Sequence, residues 1–176
     1  MNRVALLRGI NVGGNRKIPM ADLRLALQKA GFEQVQTYIQ SGNILWQSQA
    51  KPEVLARQVQ QVVRDRFGFE VEVVVRTAEQ WQHTIQSNPF PDQTDHLHVA
   101  FLGRAPSEAR VQALQEAATG DDLWHLLGED VYLFYPHGTA EAQLTHKVLE
   151  KHLQVSGTVR NWRTVLKVQQ LLEQPC

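Results

Sequence analysis

The chain opens with Val4-Ala5-Leu6-Leu7, a short unbroken apolar run closed by Gly9, and this pattern predicts a buried strand. After Pro19, which suits a first helical turn, Leu23, Ala26, Leu27 and Ala30 return on one helical face, and Gly31 stands where a helix-ending glycine belongs. Two strand-like runs follow, 35–40 and 44–47, with Ser41-Gly42-Asn43 as a tight hairpin signal between them. Pro52 then opens a second helix with Leu55, Val59, Val62 and Val63 inward, and 71–75 is another strand. The order βαββαβ predicts a split β-α-β plait.

A helix over 78–86 leads into Asn88-Pro89-Phe90-Pro91, a breaker that serves as the internal boundary. The pattern then restarts. Residues 96–102 predict a strand, Pro106 opens a helix carrying Val111, Leu114 and Ala118, and 123–127 and 131–135 predict strands joined by Gly128-Glu129-Asp130. A helix is expected over 142–153. The final strand of this half is expected to be replaced by a loop, 154–159, and a last helix over 161–172. The fold class expected is therefore α/β, an α+β plait: two ferredoxin-like βαββα halves packed as a compact two-lobed protein. The lobes are placed at 1–90 and at 91–176, the second with an extra terminal helix. The repeat is one of element order, not of residues.

Composition narrows the function classes. With 176 residues, 43% hydrophobic and 20% charged, the chain is long enough for a real core and unlike a disordered segment. Its one cysteine, Cys176, excludes an intrachain disulfide, and seven histidines without cysteine partners argue against structural zinc, so no metal and no cofactor is expected. The first apolar run is four residues long between Arg3 and Arg8, too short for a signal peptide or a membrane span, and the expected location is cytoplasmic with no membrane partner. Formal charge is zero but uneven: net +4 over 1–91, −7 over 92–141 and +3 over 142–176. The acidic middle is expected to pair with the basic ends inside one fold, ahead of a basic binding surface.

Three segments carry candidate chemistry. The first runs from Arg8 through Gly9, Asn11, Gly13 and Gly14 to Lys17, between a strand and a helix, where backbone N–H groups and a helix end can receive an anion. It is neither a Walker loop, since Asn15 and Arg16 stand where Lys and Ser/Thr are required, nor GxGxxG, which argues against ATP or NAD bound in those modes. A plain flexible connection explains the segment about as well. The second candidate is Thr158 to Thr164. Asn161 suits an N-cap there, Arg160 and Arg163 sit at a helix end that ordinarily attracts acids, and no acid lies between Lys151 and Leu172. Trp162 reads as a core anchor. The third is the hairpin segment with Tyr38, Gln40, Ser41 and Asn43, which needs no function to explain it. Its tip is expected at the opposite sheet edge from the glycine-rich loop. His96 and His98 alternate on one strand and read as ordinary strand histidines rather than metal ligands, and Asp121-Asp122 and Glu129-Asp130 read as solvated turns.

Taken together, Leu6-Leu7-Arg8-Gly9-Ile10-Asn11-Val12-Gly13-Gly14, Thr37-Tyr38-Ile39-Gln40-Ser41-Gly42-Asn43 and the late block Thr158 to Val165 resemble the signature of a bacterial family, the domain of unknown function 1697. The resemblance implies a compact two-lobed α/β protein with ferredoxin-like parts and no established activity, substrate or catalytic residue. Such sequences often carry Ser/Thr-Lys-Leu where Ala142-Gln143-Leu144 stands here, and Asn where His146 stands.

Three functional readings follow. The preferred one is an anion-binding protein for a nucleotide, a phosphorylated metabolite or, more weakly, a nucleic-acid backbone. Its ligand residues are Arg8, Asn11, Gly13, Gly14, Lys17, Tyr38, Gln40, Ser41, Asn43, Arg160, Asn161 and Thr164. The alternatives are an enzyme with a polar site between the lobes, for which no nucleophile or near-neutral base is evident, and an assembly module whose polar motifs lock the fold. Neither the oligomeric state nor a catalytic residue is read from the sequence.

Overall fold

The computed structural model describes residues 2–174; Cys176 lies outside the described residues. The first half runs β1 (Asn2–Leu7), α1 (Met20–Lys29), β2 (Glu33–Tyr38), β3 (Asn43–Gln47), α2 (Pro52–Phe67), β4 (Val73–Thr77) and α3 (Ala78–Gln86). The second runs β5 (Leu97–Leu102), α4 (Glu108–Gln115), β6 (Leu123–Leu127), β7 (Asp130–Phe134), α5 (His146–Leu153), β8 (Gly157–Asn161) and α6 (Trp162–Glu173). The sheets have the orders β2-β3-β1-β4 and β6-β7-β5-β8, antiparallel throughout, so each half is a complete βαββαβ plait. By compactness the chain divides into one unit up to His83 joined by the residues from Val168 on, and a second over Thr84–Lys167.

In the first unit, Ala5, Leu7, Ile44, Trp46, Val73 and Val75 share a core with Leu23 and Leu27 of α1 and Leu55, Val59 and Val63 of α2. The helix period delivers that stripe: α2 starts with Pro52 at its first turn, buries every fourth residue and stops at Gly68, whose φ is 79°. Each fully buried Leu or Val contributes about 1.5–3 kcal/mol of transfer free energy. In the second unit, Ala100, Leu102, Val131, Leu133 and Tyr135 pack with Leu114, Leu149 and Leu153.

Four expectations are corrected. The second half does have its last strand: Gly157–Asn161 pairs with β5 from Leu102↔Gly157 to His98↔Asn161. Its sequence, Gly-Thr-Val-Arg-Asn, lacks an apolar run because the strand is held by pairing, and a Cβ at Gly157 would stand 2.6 Å from the carbonyl oxygen of Phe101. The helix expected over 142–153 is shorter. Buried Asp122 accepts the N–H groups of Gln143 and Leu144 at 2.7 and 2.8 Å, and α5 begins only after Thr145, whose hydroxyl caps Val148 N–H. Asp122 is therefore not a solvated turn residue, and neither is Asp130, which accepts the Thr84 hydroxyl at 2.5 Å. Finally, the first hairpin turn spans 39–42, not 41–43; Ile39 and Gly42 have positive φ, and Asn43 already belongs to β3.

Candidate functional site

The connection between β1 and α1 is a small self-closed finger. Val12 and Asn15 form an isolated antiparallel bridge, Asn15 N–H donates to Val12 at 3.1 Å and Asn11 N–H donates to Arg16 at 3.1 Å. Gly13 and Gly14, at φ 59° and 78°, make the turn, and residues 12–17 are exposed. Two of the N–H groups that an anion loop would present are thus spent within the finger itself.

Asn11 ties the finger to the fold. Its side chain donates to Ile18 O at 3.0 Å and Gln40 O at 2.7 Å and accepts from Ile18 N–H at 2.8 Å. The glycine-rich loop and the hairpin therefore meet, contrary to the expectation that they lie at opposite edges. The cause is register: β1 is antiparallel to β3, with Leu6 opposite Asn43, so the end of β1 adjoins the start of β3. Leu7 N–H donates to Gly42 O at 2.9 Å at the same place. Buried Asn43 donates to Tyr38 O at 2.9 Å and Ser41 Oγ at 3.2 Å, so it shapes the turn rather than facing a ligand. Tyr38 and Ser41 are half-buried, and Gln40 and Lys17 are exposed.

On the other side of β1, an open cleft of about 480 Å³ is lined by Arg8, Arg16, Gln60, Glu70, Val71 and Glu72. Because Leu7 pairs with Val73, the next residue back on that side is Glu72, and Arg8 meets it at 2.8 Å. Glu70 meets Arg64 at 2.5 Å, and that hydrogen bond holds the Glu70 carboxyl below, and the Arg64 guanidinium above, their usual ranges. Arg16 lies over the ring of Phe69, 5.9 Å from its centre, and meets no carboxylate within ion-pair distance among the described residues. Each acid at the cleft is thus matched by an arginine, and Arg16 supplies one unmatched positive charge. Glu70, Glu72 and Gln60 were missed by sequence reasoning; only the strand register brings the two acids beside the loop, and no local motif announces it.

In the second unit, β8 buries Thr158 and Arg160. The Arg160 guanidinium donates to Thr158 Oγ1 at 2.8 Å and Val159 O at 3.0 Å, and burial pushes its pKa down to about 10. Asn161 caps α6 by accepting Thr164 N–H at 2.8 Å, and Thr164 and Trp162 are buried. A cavity of about 270 Å³ at this end is lined by Thr94, Asp95, His98, Asn161, Trp162 and Arg163, with Leu97. His96 does not share a strand with His98: it ends a 3-10 turn, Thr94–His96. The His98 ring packs against Tyr135, 5.3 Å between centres, and burial lowers its pKa. Tyr135 donates to Leu144 O at 3.0 Å, and burial raises its pKa to about 12.

The structure thus gathers Arg8, Asn11, Gly13, Gly14, Lys17, Tyr38, Gln40, Ser41 and Asn43 at one end of the first sheet, and Arg160, Asn161 and Thr164 at the β8–α6 junction of the second unit. Among the described residues no group of three or more His, Cys, Asp or Glu is placed to hold a metal ion, and no helix is long and apolar enough to cross a membrane.

A family model described as "Protein of unknown function (DUF1697)" matches residues 1–132. Among solved structures, a conserved bacterial protein from Streptococcus pneumoniae is similar over 98% of both chains, with 23% identity and a TM-score of 0.80, a likeness of fold. Comparison with curated proteins gives no match.

Proposed function

The chain belongs to the DUF1697 family of proteins of unknown function, and we propose that it binds a small anionic or phosphorylated ligand at the open cleft beside the glycine-rich finger. The observation that carries this reading is the pairing around the cleft: Arg8 meets Glu72, Glu70 is taken by Arg64 from outside the lining, and Arg16 meets no carboxylate among the described residues. Arg16 and Arg8 approach the ligand from the finger and from the end of β1. An exposed ion pair such as Arg8–Glu72 is worth about 0–1 kcal/mol, so a ligand anion can take the place of Glu72 at small cost. A guanidinium offers a planar fork suited to phosphate or carboxylate oxygens. Gln60 adds a neutral donor on the α2 side. The finger positions Arg16 rather than cradling the anion with its own N–H groups.

A second reading is favoured by one specific observation. Asn11, Asn43 and Asn161 all spend their side chains on internal hydrogen bonds. On that reading the motifs hold the fold and no ligand is taken.

The two are separated by thermal melting and calorimetric titration with inorganic phosphate, phosphosugars and mononucleotides at low and high salt. A ligand at about 100 times its Kd adds about 2.7 kcal/mol of apparent stability. A shift that Arg16→Ala abolishes supports the cleft; no shift with any of these compounds, or one that Arg16→Ala leaves intact, discards it.

A further inference from the structure

Two antiparallel sheets present four edge strands, and natural proteins blunt such edges because unpaired N–H and C=O groups recruit other strands. Three edges here are blunted. β4 and β8 are mostly buried. β2 carries Glu33 and is broken by a register shift between Glu33 and Gln36, with Gln34 at φ 53°. β6 is different. It is regular along its whole length against β7, from Leu123↔Phe134 to Leu127↔Asp130. Its sequence, Leu-Trp-His-Leu-Leu, contains no Lys, Arg, Asp, Glu, Pro or Gly, and it is only partly buried, with Leu123 49% exposed. Among the described residues no hydrogen bond outside the β7 ladder reaches residues 123–127.

We propose that β6 pairs antiparallel with β6 of a second copy of this chain, forming a two-fold dimer through one continuous eight-stranded sheet. The register follows from the hairpin. The two-residue turn Gly128-Glu129 makes Leu127–Asp130 a hydrogen-bonded pair, so by alternation Trp124 and Leu126 turn their N–H and C=O groups outward. A two-fold axis at His125 sets Trp124 opposite Leu126 of the second copy, and their outward groups bond reciprocally at both symmetry-related sites. On one sheet face the cross-strand pairs are Trp124–Leu126, twice. On the other they are Leu123–Leu127, twice, with His125 facing its own copy on the axis. Every pair off the axis is apolar on apolar, so the strand is complementary to itself, which an isologous contact requires.

The rim works the other way. The same register brings Asp121 toward Glu129 of the second copy, but Asp121 is exposed and already held by His137 at 2.9 Å. Added salt screens that repulsion and leaves the apolar pairs and backbone bonds, so association strengthens with ionic strength. Five residues a side is few beside the 20–30 of a standard interface, so the dimer is dissociable and concentration-dependent.

Sedimentation equilibrium of the full chain from micromolar to millimolar concentration tests this. The expected result is a monomer–dimer equilibrium shifted toward dimer by salt, abolished by His125→Lys and untouched by Leu25→Lys, a change at another exposed leucine. In a Cys176→Ser background, His125→Cys should form an interchain disulfide on oxidation, because facing Cα atoms at a non-hydrogen-bonded antiparallel position lie about 4.5 Å apart. Leu123→Cys, opposite Leu127 in this register, should not. Circular dichroism melts of each variant separate loss of pairing from loss of fold. A wild-type chain that stays monomeric throughout overturns the proposal, even if the edge accepts a basic extended peptide. So does a dimer that survives His125→Lys or dissolves in salt.

Discussion

The two plaits share one strand order but differ at the connection after their first strand. In the second plait five residues, 103–107, join β5 to α4; in the first, twelve residues, 8–19, join β1 to α1 and fold into the finger. The cores need only the common topology. The longer connection adds an exposed guanidinium beside a cleft, and its anchor, Asn11, has no counterpart in the shorter one. Chemistry that distinguishes a unit from its twin is thus concentrated where the scaffold tolerates extra chain.

The sharpest way to break the comparison is at the equivalent hairpin turns. A Cβ at Gly42 would lie 2.8 Å from Ile10 Cδ1 and 2.9 Å from Leu7 Cβ, and φ there is 84°. At Gly128 φ is 60° and nothing lies within 4 Å. Gly42→Ala should cost about 3 kcal/mol, combining left-handed strain with overpacking, against about 1 kcal/mol for Gly128→Ala. Urea denaturation reads both, and equal costs would mean that the finger's root and the hairpin do not pack as described. Next comes Asn11→Ala, which removes three hydrogen bonds and should cost about 2 kcal/mol. Asn11→Asp keeps the bond from Ile18 N–H but sets a carboxylate oxygen against the carbonyl oxygens of Ile18 and Gln40, and should cost at least as much as Asn11→Ala.

A pH effect belongs to the second plait. Burial holds the His98 imidazole below its usual range, so as pH falls through about 6.5 the unfolded chain takes up a proton that the folded chain resists. Stability is then lost on acidification, and His98→Gln should flatten the fall in melting temperature between neutral and mildly acidic pH. His137 has the opposite sign, since its hydrogen bond to Asp121 raises its pKa; its contribution is present at low pH and fades as pH rises through the raised value. The smallest effect is expected at the cleft. Glu72→Gln should change stability by no more than about 1 kcal/mol while tightening any phosphate binding, because it removes a negative charge from the cleft wall.

The first plait was legible because β1, β3 and β4 are apolar runs, the hairpin turn marks the polar β2, and its helices keep a clean period, as in Leu55, Val59 and Val63. The last strand of the second was hidden because Gly157, Arg160 and Asn161 carry no strand pattern of their own; pairing with β5 decides them. A residue-level echo is hidden for the same reason. Val75-Arg76-Thr77 and Val159-Arg160-Asn161 each end a plait with a buried arginine and a residue whose side chain binds the first turn of the next helix: Thr77 Oγ1 accepts Gln80 N–H at 3.1 Å, as Asn161 does for Thr164. The connections before them differ in length, so no fixed spacing marks the two segments as equivalent. The candidate residues Arg8 and Asn11 were visible in the sequence, but their partners, Glu72 and Gln40, lie 64 and 29 residues away and follow only from register.

The finger has one further consequence, for protein engineering. Its closure lies below the tip, in the Val12–Asn15 bridge and the bond from Asn11 to Arg16, while a Cβ at Gly13 or Gly14 would touch nothing within 4 Å. A short epitope or a fluorophore-bearing peptide spliced between these two glycines should leave the core undisturbed. Seated on the same ribbon as Arg16, it would make the chain a sensor whose emission reports the cleft.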